Sequence, residues 1–133
     1  MERHSMVSVV IAHHGDHKRL PRLLQSLARQ DIGQNRLDLA LVTDHGDEAS
    51  MDTARRWRHI LGCARFLILP HAPASLAVGL DQAARMTDGD AILFMDSLCR
   101  LSPACIASCT LALQERPEAD VVYPNAQIGR AHV

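Results

Sequence analysis

Aromatic residues are scarce in this sequence. Phe66, Phe94, Trp57 and Tyr123 are the whole supply, 3% of 133 residues. That excludes surfaces built on base stacking or on aromatic sugar platforms, and it leaves a core that must be mainly aliphatic. An excess of one charge is also lacking. The formal net charge is −1 with histidines neutral, and Lys18 is the only lysine. There is no basic stripe for nucleic acid and no polybasic membrane surface. No apolar run approaches the roughly 20 residues that span a bilayer. The run from Met6 to Ala12 has no small-residue cleavage pattern behind it and passes into His13-His14-Gly15-Asp16-His17, so it does not read as a signal peptide. The expectation is a cytoplasmic protein with no membrane span and no nucleic-acid partner.

Several motifs are missing too. No GxGxxG follows the first apolar run, which removes a dinucleotide fingerprint. There is no P-loop with its lysine and no GxSxG elbow. The cysteines Cys63, Cys99, Cys105 and Cys109 form no CxxC pair. They read as reduced thiols, and a zinc site from Cys99, Cys105 and Cys109 fits no usual ligand spacing.

What remains alternates between two periodicities. Val7 to Ala12 is an apolar, β-branched run, hence a strand. Leu20, Leu23, Leu24 and Leu27 recur at i, i+3, i+4, i+7 and mark a helix. Leu37 to Thr43 reads as the second strand, and Met51 to Leu61 as a second helix stopped by Gly62. Arg65 to Leu69 is a third strand closed by Pro70. Leu76, Leu80, Ala83 and Ala84 mark a third helix ending near Gly89. Ala91 to Met95 is a fourth, wholly apolar strand. Ser102-Pro103 reads as an N-cap with proline at the first helical position, opening a helix lined by Ile106, Cys109, Thr110 and Leu113. Asp120 to Tyr123 is a fifth strand before Pro124. Apolar strands without clean alternation favour a sheet covered on both faces. The fold class is therefore α/β, a Rossmann-like three-layer α/β/α sandwich with a mostly parallel sheet. One domain over residues 1–125 and a loose tail over 126–133 complete the expectation.

In such a sheet the carboxyl ends of the strands share one edge. Three of those ends are polar: His13-His14-Gly15-Asp16-His17 after the first strand, Thr43-Asp44-His45-Gly46-Asp47 after the second, and Asp96-Ser97 after the fourth. With the first strand between the second and fourth, these loops converge at a topological switch point, where nucleotides with a diphosphate commonly sit.

The order of parts resembles the amino-terminal half of family 2 glycosyltransferases, of the GT-A type, over roughly Val7 to Asn125. Val7-Ser8-Val9-Val10-Ile11 is similar to the family's opening strand. Ser26-Leu27-Ala28-Arg29-Gln30 is similar to a helix ending in "SLxxQ", and Val42-Thr43-Asp44-His45-Gly46 to a "VDDGS" turn. Gly89 to Asp96 matches "GDYILFLDAD", and Glu118 to Tyr123 looks like the segment closing the nucleotide half. The resemblance implies glycosyl transfer from a nucleotide sugar, UDP- or GDP-linked. It implies a donor site formed by Ala12, His13, His14 and Gly15, by Asp44 with His45 beside it, and by Asp96 with Ser97. It also implies a divalent cation, Mg²⁺ or Mn²⁺, held on the diphosphate by Asp96 and acting as a Lewis acid.

The sequence departs from the family at particular positions. Ala12-His13-His14-Gly15 stands for "PTYN", His45 for the second acid of "DDG", and Leu80-Asp81 for "RN". Ser97-Leu98-Cys99 stands for "ADD", so Asp96 has no second carboxylate two positions on. The half that would bind acceptor and supply a catalytic base lies beyond the resemblance, so the chain is expected to be a truncated or divergent enzyme. Two other readings follow. One is a non-catalytic module of this fold that binds or forms a homo-oligomer. The other is a metal site built from His13, His14 and His17 with Asp44 or His45. Asp47, Glu48 and Asp52 suit the amino terminus of the second helix. Arg55, Arg56 and Arg58 suit its solvated face, and Arg100 is a surface residue within reach of a phosphate.

Overall fold

A computed structural model describes residues 6–15, 17–71, 76–116, 123–124 and 131–132. The elements run β1 (Val7–His13), α1 (Leu20–Ala28), β2 (Leu37–Asp44), α2 (Glu48–Ile60), β3 (Arg65–His71), α3 (Leu76–Met86), β4 (Ala91–Asp96), α4 (Cys105–Glu115), β5 (Tyr123–Pro124) and β6 (Ala131–His132). The main sheet has four parallel strands in the order β3-β2-β1-β4. The α/β class and the parallel sheet expected from the sequence are both present. The first strand does lie between the second and the fourth.

The sheet is buried where two layers meet it. Val7, Val9 and Ile11 of β1 pack with Leu37, Leu39 and Leu41 of β2 against Leu20, Leu23, Leu24 and Leu27 of α1. The four leucines are the apolar stripe of the helix, and their burial gives α1 most of its stability. On the other face Val10, Ala40 and Val42 meet Ala83 of α3, with Leu76 and Leu80 beside it.

Two polar anchors fix the ends of this core. At the amino edge, buried Asp38 accepts from Arg65 Nε at 2.9 Å and Nη2 at 3.1 Å, from Ser8 Oγ at 3.2 Å and from Asp88 N at 2.9 Å. Ser8 Oγ in turn accepts from Gly89 N at 2.7 Å. This ties the α3–β4 connection to β1 and β2. Near the end of α1, Gln30 donates to Ser102 O at 2.7 Å and accepts from Ile106 N at 3.0 Å. The glutamine of the "SLxxQ" pattern thus caps α4.

Several expectations change. Ser102 and Pro103 do not open α4, which starts at Cys105 after Ala104; Gln30, just past the end of α1, supplies the cap. Pro70 does not close β3 but lies within it. An edge strand tolerates the missing N–H. Strand β4 is not wholly buried. Its residues alternate, and Ile92 and Phe94 are 41% and 56% exposed. Helix α3 lies against β1, β2 and β3, so among the described residues the α3-side face of β4 stands open. Most of the expected fifth strand lies outside the described residues. Tyr123–Pro124 pairs antiparallel with Ala131–His132 in a separate two-stranded sheet. The expected tail thus includes one described strand.

Candidate functional site

The carboxyl edge of β1 and β4 is where backbone and side chains are most tightly joined. Ala12 pairs in register with Asp96, and Ala12 O accepts from Ser97 N at 3.1 Å. The next residue, His13, is fully buried. Its Nδ1 lies 2.6 Å from Ser97 Oγ and its Nε2 lies 2.7 Å from Ser50 Oγ. Ser50 belongs to the first turn of α2, and its N–H donates to Asp47 Oδ1 at 3.1 Å, the N-cap of that helix. One imidazole therefore links three segments: the end of β1, the loop after β4 and the start of α2. Burial pushes the His13 pKa below the ordinary histidine value. The carboxylates of Asp47 and Asp44 oppose that shift, and His14 and His17 add to it. A neutral imidazole has one donor and one acceptor, and each serine hydroxyl can serve either, so both tautomers satisfy the chain.

The other expected residues surround this clamp. His14 and Gly15 are exposed. Gly15 has φ +93°, a conformation that favours glycine, and it turns the chain away from the sheet. Asp44 ends β2 half-buried, and its carbonyl accepts from Asp47 N at 3.1 Å. His45 sits exposed in the turn between them. Asp96 is exposed. Its Oδ1 accepts from Leu98 N at 2.9 Å, and its other oxygen has no hydrogen-bond partner among the described residues. The structure thus joins Ala12, His13, Asp96 and Ser97 directly, and puts Asp44 on the same edge one strand away. Among the described residues no side-chain hydrogen bond ties His14 or His45 to that cluster, and Gly15 has no side chain.

A divalent cation needs oxygen donors at converging positions. Among the described residues no three His, Cys, Asp or Glu side chains lie close enough together to hold a metal ion. Asp96 is a single carboxylate, and Leu98 is 68% exposed where a second acid would stand. The donor set does not make a protein-held cation site. The histidine metal site fails on geometry as well, because both nitrogens of His13 already bond serines. Cys99, Cys105 and Cys109 form no ligand group either, and all four cysteines are free.

Ser50 and Asp47 were not legible as parts of this arrangement. Reading the second helix from Met51 placed Ser50 ahead of it. The spacing of Asp47 to Ser50, an N-cap to its third helical residue, was the available signal. Arg19 and Arg22 were also missed. They border a cleft of about 300 Å³ with Ser97, Leu98, Cys99 and Arg100.

The profile described as Glycosyl transferase family 2 matches residues 8–131. No curated protein matches the chain. Among solved structures, TarS from S. aureus, residues 1-349 in complex with UDP-GlcNAc, is 20% identical with TM-score 0.73 over 84% of this chain and 32% of that one. The mannosyltransferase PcManGT from Pyrobaculum calidifontis, in complex with GDP-Man and Mn²⁺, is 16% identical with TM-score 0.72 over 84% of this chain and 33% of its own. At such identities the likeness is one of fold, that of GT-A glycosyltransferases. The chain spans a fifth to a third of the length of the solved structures it matches.

Proposed function

Because the chain belongs to glycosyl transferase family 2, we propose that its crevice binds the nucleotide of a nucleotide-sugar donor and serves glycosyl transfer. The observation that carries this is the junction of β1 and β4, where Ala12 pairs with Asp96 and His13 holds Ser97. It places the two loops side by side at the switch point, with Asp44 on the next strand. Residues 1–125 are read as one donor-binding unit.

The roles follow from chemistry and position. The loop Ala12 to Gly15 and the Asp44 carboxylate, with His45 beside it, receive base and ribose. Asp96 keeps one oxygen for a ribose hydroxyl or for a cation carried by the diphosphate. The His13 and Ser97 side chains bond one another and hold the two loops in place. Transfer breaks the bond between the anomeric carbon and the diphosphate oxygen, and the electron pair leaves with the nucleoside diphosphate. The acceptor oxygen forms the new bond, and its proton goes to a base that no described residue supplies.

Thermal melting with UDP, GDP and UDP-GlcNAc, with and without Mn²⁺, tests the reading. A nucleotide should raise the melting temperature, and Asp44→Ala and Asp96→Ala should each reduce the rise. No shift with any nucleotide overturns it.

The open face of β4 favours a second reading, a non-catalytic module that pairs with its own copy through Ile92 and Phe94. An edge strand with an apolar face invites such pairing. Light scattering that shows only monomer at high concentration would dismiss it.

A further inference from the structure

The cleft lined by Arg19, Arg22 and Arg100 gathers three cations with no acid among its lining residues. Ser97, Leu98 and Cys99, the residues that follow Asp96, complete its lining. None of the three arginines makes an ion pair among the described residues. A neighbouring hollow of about 500 Å³ offers a contrast. There Arg55 is paired with Asp52 at 2.9 Å and Arg56 donates to Thr53 Oγ1 at 3.3 Å, so an acid and a hydroxyl of the hollow already meet its cations.

The position of two of the arginines also runs against local electrostatics. Arg19 is the N-cap of α1 and Arg22 lies in its first turn, where there is no acid and no side-chain cap. The amino end of a helix carries partial positive charge and favours anions. Two guanidinium groups there share one cleft with a third from the loop after β4, a gathering of like charge that an anion between them would relieve. Such a conflict between local preference and sequence is expected at functional sites. The chemistry required is that of phosphate, which guanidinium groups bind through paired N–H donors.

We propose that this cleft is a phosphate site and that it takes the diphosphate of the donor. This rests on the donor reading above. The arginines then supply the positive charge that Asp96 alone, with Leu98 beside it, is poorly equipped to recruit as a metal ion. As the bond to the anomeric carbon breaks, charge gathers on the leaving nucleoside diphosphate, and the cleft receives it.

Isothermal titration with inorganic pyrophosphate, UDP and uridine, in EDTA and in Mn²⁺, tests the assignment. The variants are Arg19→Gln, Arg22→Gln and Arg100→Gln, singly and together, with the triple lysine variant as a charge-keeping control. All three side chains are exposed, so circular dichroism should show unchanged folding. The wild-type chain should bind pyrophosphate and UDP in EDTA. The triple glutamine variant should bind both about tenfold more weakly or worse, as the loss of charge-assisted hydrogen bonds implies. Uridine binding should not change, and the lysine variant should recover part of the loss. Equal binding by wild type and the triple variant overturns the proposal, as does UDP binding that appears only with Mn²⁺. Pyrophosphate binding that needs the arginines, without any nucleotide binding, upholds the phosphate site and overturns the donor reading instead.

Discussion

Replacing His13 is the sharpest perturbation of the site. His13→Ala removes an imidazole that is fully buried and leaves two hydroxyls behind, on Ser50 and Ser97, which are 0% and 5% exposed. Each unpaired buried hydroxyl costs about 1–3 kcal/mol. The missing ring leaves a void, and water entering it would repair part of the hydrogen bonding. The expected loss is about 3–5 kcal/mol in urea unfolding at pH 8. A loss below about 1 kcal/mol would mean that the clamp does not hold these segments together.

The same residue fixes a pH dependence. Burial lowers the folded-state pKa against the pull of Asp47 and Asp44, while the unfolded chain takes up its proton near pH 6.5. Between those values the unfolded state binds more protons, so stability falls as pH drops below about 6.5. It is fully present above that pH. The hydrogen bonds are not the cause of the loss, since an imidazolium can donate to both serines. The cause is the charge placed in a buried position. Wild type and His13→Gln should therefore differ in the slope of stability against pH below about 6.5. Parallel slopes would mean that His13 is not the group responsible.

Two further predictions concern the amino edge of the sheet. Asp38→Ala strands Arg65, Ser8 and Asp88 N–H, and should cost about 2–3 kcal/mol, less than for a fully buried pair because Arg65 stays in touch with water. Burial raises the Asp38 pKa, but bonds from Arg65 and Asp88 outweigh it and hold it below the usual carboxylate value. Wild-type stability should then hold above about pH 3.9 and fall as pH drops toward the folded pKa. A flat acid profile counts against the anchor. Gly89→Ala would put a Cβ 2.3 Å from Ser8 Oγ and 2.5 Å from Ser8 N. The starts of β1 and β4 must shift, for about 2–3 kcal/mol in thermal melting, and an unchanged melting point would exclude that close approach.

The main sheet was legible because its signals are local. Leu20, Leu23, Leu24 and Leu27 announce a helix, and Val7 to Ile11 announce a strand, from spacing alone. The place of the first strand between the second and the fourth was a condition set by the polar ends, and the structure meets it. What stayed hidden depends on residues far apart in the chain. His13 meets Ser97 across 84 positions and Ser50 across 37, so a histidine just past the expected strand looked like a loop residue. Gln30 caps α4 across 76 positions, which the Ser102-Pro103 pair concealed. The apolar run Ala91 to Met95 could show that β4 seeks burial. It could not show which layer covers it, and α3 does not.

The three residues at the end of β4 divide two tasks that the motif alone merges. Asp96 points outward, Ser97 turns inward to His13, and Leu98 points outward again. The inward residue is fixed by the clamp, so a change there would loosen β1, β4 and α2 together. The outward residues bear only on what enters the crevice. A carboxylate can be replaced by leucine at position 98 without disturbing the clamp, because the hydrogen bond to Asp96 comes from the Leu98 backbone. The departure from the family's acidic pair is therefore a change in how charge on the ligand is met, and leaves the frame of the site intact. The charge on the ligand is then met on the neighbouring side of the same loop, where Arg100 lines one cleft with Arg19 and Arg22.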